Sequence, residues 1–253
     1  MALNQWRTDE AEHTVEVSVT STSATPILFQ DVQVVTASFR TIPPARVDTT
    51  LSRTPRTDLR IPYGEARCDP DKIPAPTPVT VVAHVQVGGG ALREVKFAAA
   101  GATSATLQRM IEAECGGFIL RQAADVTFDS SWRQEGGKGG VLYGSLTVTR
   151  KKGDEPFTVD ELGNTTHFSL LPHSGKHHPV AVLAADQATL QIPVEVRPAR
   201  CDPHAFGEAK KAYIFPVWGR IGDGKLFWMI ITPDAQLKAA FLAYAEKACG
   251  ITT

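Results

Sequence analysis

No stretch of this 253-residue chain approaches the ~18 consecutive apolar residues that a membrane-spanning helix needs. Charge of one sign is not in excess either. Lys and Arg number 26 against 27 Asp and Glu, a formal net charge of −1, so the basic footprint of a nucleic-acid binder is missing. None of the four cysteines lies in a CxxC, which removes the usual zinc-ribbon, thioredoxin and iron–sulfur spacings. GxSxG, SxxK, HExxH and GxxxxGK[ST] are absent. The run Gly136–Gly140 holds Lys138 but lacks the Ser/Thr of a phosphate-binding loop, and it reads as a flexible hairpin tip. Met1-Ala2-Leu3-Asn4-Gln5 has neither a basic n-region nor an apolar h-region. What is present is a globular chain: 43% hydrophobic residues exclude disorder throughout, and the length suits one large domain or two of about 100–130 residues.

The cysteines are informative by their spacing. Cys68 and Cys115 are 47 residues apart, Cys201 and Cys249 48. Four cysteines permit three pairings. An internal repeat selects among them: Ala66-Arg67-Cys68-Asp69-Pro70 recurs as Ala199-Arg200-Cys201-Asp202-Pro203, and Leu59-Arg60-Ile61-Pro62 is answered by Leu190-Gln191-Ile192-Pro193. Two equivalent closed loops, 68–115 and 201–249, follow. Each bridge is worth about 4 kcal/mol by chain entropy. Disulfides imply an oxidising compartment, so the start is read as one from which an export signal has been removed. The competing reading is a cytosolic protein with four buried thiols.

Hydrophobic period gives the elements. Val15, Val17 and Val19 alternate with polar residues, as do Leu142, Leu146 and Val148, the pattern of half-buried strands. Val79–Val87 with Arg93–Phe97, and Ala212–Ile221 with Leu226–Ile231, predict hairpins around Gly88-Gly89-Gly90 and Gly222-Asp223-Gly224. Each copy closes with a helix. The first is expected over Thr106–Cys115 and stopped by Gly116-Gly117. The second is expected after a Thr232 N-cap and Pro233, with Leu237, Phe241, Tyr244 and Ala248 on one face and Gly250 at its end. Both cysteines would then sit in last turns. The expected fold is mainly β (α+β): two tandem, related, antiparallel β-sandwich-like domains, residues 1–120 and 121–253, each with a C-terminal helix tied by one disulfide.

Two clusters are candidate sites. His167, His173, His177 and His178 crowd one Pro/Gly/Ser/Lys segment, and imidazoles at that density can bind zinc, copper or nickel. Their spacing matches no familiar ligand set, and the methionines, Met1, Met110 and Met229, offer no soft partner nearby. Phe215, Trp218, Phe227 and Trp228 enrich the second hairpin, where the first copy has small apolar residues; they form either a thicker core or a binding face. Trp6, Trp132, Tyr143, Tyr213 and Tyr244 could join them in a carbohydrate-stacking platform. Asp69 and Asp202 before proline read as turn formers, with Arg67 and Arg200 available to anions. His204 and Glu208 could share a helix face in the second copy only.

Arg200-Cys201-Asp202-Pro203-His204-Ala205, a following strand pair and a helix ending Ala248-Cys249-Gly250 resemble exported proteins of high-GC Gram-positive bacteria, secreted or lipoprotein-type, a group that carries no assigned activity. The likeness is closer in the second half, since the first departs after Pro70. It implies export and a lipid anchor on a removed N-terminal cysteine, and it transfers no catalytic residue. The expectation is a non-catalytic extracytoplasmic binding or scaffold protein, monomeric or weakly oligomeric, with a protein or cell-envelope ligand and no cofactor. The alternative is a metal-binding or metal-delivery protein using the histidine cluster.

Overall fold

The computed structural model describes residues 1–10, 12–100, 103–175, 177–202 and 212–250. The fold is mainly β, built of antiparallel sheets. It divides into two compact units, Met1–Cys115 and Gly116–Thr253.

In the first unit, β1 (Ala2–Asn4), β2 (Thr14–Ser21) and β5 (Thr54–Pro62) form a three-stranded sheet in the order β1-β2-β5. A four-stranded sheet joins β3 (Ile27–Val35), β4 (Ala45–Leu51), β6 (Thr80–Val87) and β7 (Arg93–Ala98) in the order β4-β3-β6-β7. A short helix, α1 (Arg7–Glu10), links β1 to β2. The valine alternation works as expected: Val15, Val17 and Val19 are buried, and Leu59 and Ile61 of β5 stand opposite Val17 and Val15. They share one core with Phe29 and Val32 of β3 and Val81 and Ala83 of β6. Two sheets facing one apolar core make a sandwich-like unit.

The second unit repeats this order with additions. β8 (Ala124–Phe128), β9 (Arg133–Glu135), β10 (Val141–Arg150), β12 (Phe168–Pro172) and β14 (Thr189–Pro198) form a five-stranded sheet ordered β12-β14-β10-β8, with β9 also on β10. The other sheet, β13-β11-β15-β16, uses β11 (Phe157–Leu162), β13 (Ala181–Leu183), β15 (Phe215–Ile221) and β16 (Phe227–Ile231). Thus β8-β10-β14 answers β1-β2-β5, and β13-β11-β15-β16 answers β4-β3-β6-β7. Strands β9 and β12 are the additions. Ile192 and Val196 of β14 oppose Leu146 and Leu142 of β10, so the Leu-x-Ile-Pro repeat occupies the same place in both units.

Both predicted disulfides are formed, Cys68–Cys115 and Cys201–Cys249. The first helix departs from expectation. Helix α2 runs Thr103–Ala123, straight through Gly116-Gly117, so Cys115 lies in its middle and not in a last turn. The glycines serve close approach. A Cβ on Gly116 would lie 2.8 Å from Cδ1 of Phe227, and one on Gly117 would lie 3.2 Å from the Trp228 carbonyl oxygen. Leu107, Met110, Ile111 and Cys115 enter the first core, and Leu120 and Ala123 the second.

The second helix, α3 (Ala235–Cys249), is capped by Asp234, whose carboxylate accepts the Leu237 N–H at 2.7 Å; Thr232 and Pro233 precede the cap. Asp234 takes over because its extended backbone leaves its carboxylate pointing at the open first turn. Gly250 ends the helix in the left-handed region, φ 66°. Its buried face is Leu237, Phe241, Tyr244, Ala245 and Ala248. The Phe241 ring lies 5.1–6.3 Å from those of Phe128, Trp132, Phe168 and Phe215. Truncating such a residue costs about 3–5 kcal/mol. The glycine-rich segment after β9 is tied down: the Gly139 N–H donates to the Ala248 carbonyl, and the single Tyr244 O–H is shared between the carbonyls of Gly140 and Val196, at 2.8 and 2.9 Å. Burial pushes the Tyr244 phenol up to about 12.

Among the described residues no helix is long and apolar enough to cross a membrane. Two disulfides and no free cysteine fit an oxidising compartment.

Candidate functional site

The second hairpin sorts its four aromatics by strand alternation. Along β15, Phe215, Val217 and Gly219 point to the core while Pro216, Trp218 and Arg220 point away. Phe215 is fully buried and touches the rings of Phe128, Phe168 and Phe241, so it belongs to the core and to no binding face. Phe227 stands opposite Gly219 and packs on Gly116 of α2, also toward the core. Trp218 and Trp228 are direct cross-strand partners on the outward face and half-buried. Trp218 leans over Gly163, where a Cβ would meet its ring at 2.7 Å. The outward face continues with Ile230 opposite Pro216, and with Arg220, whose guanidinium lies 3.9 Å from Asp160.

Within the second unit the wider aromatic platform does not assemble. Trp6 is exposed in the first unit; Tyr244 is buried, and Tyr213 packs on Phe168. Trp132 sits against Phe128 and Phe241, its indole N–H donating to the Asp129 carbonyl at 2.6 Å.

The four histidines are dispersed by the sheet they flank. His167 is buried at the start of β12, its ring edge-on to Phe168. His173 follows β12 and meets Tyr143. His177 has its two ring nitrogens 2.8 and 3.2 Å from the carbonyls of Gly175 and Val180, and His178 faces Asp160. Among the described residues no group of three His, Cys, Asp or Glu side chains converges to hold a metal ion. Strand geometry explains this: Phe168 and Leu170 must face the core, and the adjoining histidines are drawn to separate places.

The Arg-Cys-Asp-Pro turn of the first unit is structural. The Asp69 carboxylate accepts the Asp71 N–H at 2.9 Å, an Asx turn, and Arg67 donates to the Phe39 carbonyl at 3.4 Å. In the second unit the segment runs out of the described residues after Asp202, and His204 and Glu208 lie outside them.

One cleft was legible in the sequence only in pieces, Tyr143 as a platform aromatic and His173 as one of the clustered histidines. On the outward face of the five-stranded sheet, Tyr143 of β10 stands opposite Arg133 of β9 on one side and Glu195 of β14 on the other. His173 is held there by its N–H, which donates to the Pro193 carbonyl at 2.9 Å, and its ring meets Tyr143 edge-on at 5.4 Å. The Arg133 guanidinium lies 5.9 Å from the Tyr143 ring centre and pairs with Glu135. Glu195 pairs with Arg197 at 3.0 Å, which raises the arginine further above its ordinary value. The cleft has a volume of about 400 Å³ and is lined by Arg133, Glu135, Tyr143, Gly144, His173 and Pro193. Gly144 is obligatory, because a Cβ there would lie 2.3 Å from the Trp132 ring. These residues come from separate segments with no common spacing, so the sequence offered Tyr143 and His173 under different readings and did not bring them together.

No protein-family model matches this chain, and no curated protein matches it at a significant level.

Proposed function

We propose that this protein is a non-catalytic binding or scaffold module of an extracytoplasmic, cell-envelope or secreted setting. Two features support the reading. Each unit is closed by its own disulfide, as suits an oxidising compartment. The resemblance of the Arg-Cys-Asp-Pro and Ala-Cys-Gly segments to exported proteins points the same way. The observation that carries the reading is the outward pair Trp218 and Trp228, continued by Pro216 and Ile230 on one sheet face of the second unit. Large aromatics gathered on a surface contribute most when a partner covers them, and a polar rim such as Arg220 and Asp160 then sets orientation. The partner is a protein or an envelope component.

Co-sedimentation with a purified bacterial cell-envelope fraction tests this. The protein should pellet with the envelope, and Trp218→Ala/Trp228→Ala should reduce the bound fraction at least tenfold with an unchanged circular dichroism spectrum. A double variant that pellets like the parent sinks the reading.

A further inference from the structure

The Tyr143 cleft carries a second, distinct assignment that rests on the binding-module reading. We propose that it binds a neutral saccharide ring. A sugar offers an apolar C–H face bounded by hydroxyls. An aromatic wall suits the first and planar donor–acceptor groups suit the second. Tyr143 supplies the ring, bracketed by the Arg133 guanidinium at 5.9 Å and the His173 ring at 5.4 Å. The hydroxyl partners in the lining are Arg133 and Glu135, which form an ion pair. Beside the lining, Glu195 opposite Tyr143 pairs with Arg197.

Those pairs also decide the ligand's charge. Each arginine is already matched by a carboxylate, so the cleft holds no surplus field for an anion or a cation. A guanidinium has five N–H donors and one salt bridge does not use them all, while the exposed Glu135 carboxylate remains an acceptor. The site is therefore rich in hydrogen-bonding groups and poor in net charge, which favours a polyhydroxylated neutral ligand over a uronic acid or a phosphate. Its volume of about 400 Å³ falls in the range of small-molecule sites. The platform is preformed: β9, β10 and β14 are joined in register, and the His173–Pro193 hydrogen bond anchors the fourth contributor.

The test is a calorimetric and NMR titration of the full chain with cellotetraose, mannotetraose and chitotetraose, and with trigalacturonate and inorganic phosphate as anionic probes. At least one neutral tetrasaccharide should bind with a millimolar or tighter Kd, moving the Tyr143 and His173 resonances. Tyr143→Ala should weaken it about tenfold, Tyr143→Phe only a few-fold, and Trp218→Ala/Trp228→Ala not at all. Absence of binding by all three neutral probes at 10-fold above the millimolar range, anionic probes binding as tightly, or a folded Tyr143→Ala protein binding as the parent does would each overturn the assignment. Envelope co-sedimentation that persists in such a case leaves the broader reading standing and locates the failure in the cleft.

Discussion

Glu114 accepts the Ala66 backbone N–H at 2.8 Å, one residue before the bridged Cys115 and two before the bridged Cys68. The segment Ala66-Arg67-Cys68 is thus held to α2 twice, once by sulfur and once by a carboxylate. It is further sewn to the chain by the Phe39–Ala66 bridge and by the Arg67 N–H donating to the Ser38 carbonyl. Among the described residues Glu114 Oε1 is buried without a hydrogen-bond partner, with His13 Nε2 at 4.0 Å. Glu114→Ala removes the acceptor and strands the Ala66 donor, which costs about 1–3 kcal/mol. Glu114→Gln keeps a carbonyl for Ala66 and should cost less than half as much. Urea unfolding of both variants checks the order; an alanine variant as stable as the parent would refute it.

The bridges themselves should act locally. Each closes a loop with a sequence separation of 47 or 48 residues, for which chain entropy gives about 4 kcal/mol. Cys68→Ser/Cys115→Ser should accelerate amide exchange in β2, β5 and β6, and Cys201→Ser/Cys249→Ser in β10, β14 and β15. Equal acceleration throughout by either pair would contradict separately closed units.

Spacing and period carried far in the fold because the disulfides, the valine strands and the second hairpin each rest on local patterns. Leu142, Leu146 and Val148 announce β10 through a period of two. Strands β4, β9 and β13 did not announce themselves. β4 reads Ala-Arg-Val-Asp-Thr-Thr-Leu, with only Leu51 buried, so its place depends on pairing with β3 rather than on its own hydrophobicity. The Gly116-Gly117 pair misled for a physical reason. Glycine breaks an isolated helix, but here it permits contact with β16.

That contact sets two effects against each other at Gly116. Alanine in a helix interior is better than glycine by about 1 kcal/mol. Its Cβ, however, would lie 2.8 Å from Cδ1 and 3.1 Å from Cβ of Phe227. The Phe227 Cβ is fixed by the β16 backbone, and forced overpacking costs about 1–3 kcal/mol. Overpacking wins, so Gly116→Ala should lower the melting temperature although it raises helix propensity. In a Phe227→Ala background, which removes the Cδ1 contact, Gly116→Ala should cost less than it does in the parent, read as a double-mutant cycle. A single variant more stable than the parent would show that β16 yields freely.

The candidate sites were less legible than the fold. Four histidines within one segment suggested a common ligand, yet His167 is buried beside Phe168 while His173 stands at the cleft. Conversely, Arg133, Tyr143 and Glu195 share a row only because β9, β10 and β14 pair in one register. Proximity along the chain and proximity across a sheet are different quantities, and only the first is written in spacing.

His84 of β6 lies between two carboxylates. It faces Asp31 of β3, Nδ1 to Oδ1 at 2.8 Å, and its other neighbour across the sheet is Glu94 of β7. The Asp31 hydrogen bond is the main cause that raises its pKa above the ordinary histidine value, with Glu94 adding a little. The folded state therefore binds this proton more tightly than the unfolded chain does. The stabilisation is fully present below the unfolded value of about 6.5 and is lost as pH rises through the folded one. The His84→Asn variant should thus melt furthest below the parent near pH 5–6, with the gap closing in alkali. In an NMR titration the His84 midpoint should lie above that of an unperturbed histidine and fall in Asp31→Asn. A parent midpoint at or below the ordinary value would remove this account of the pair.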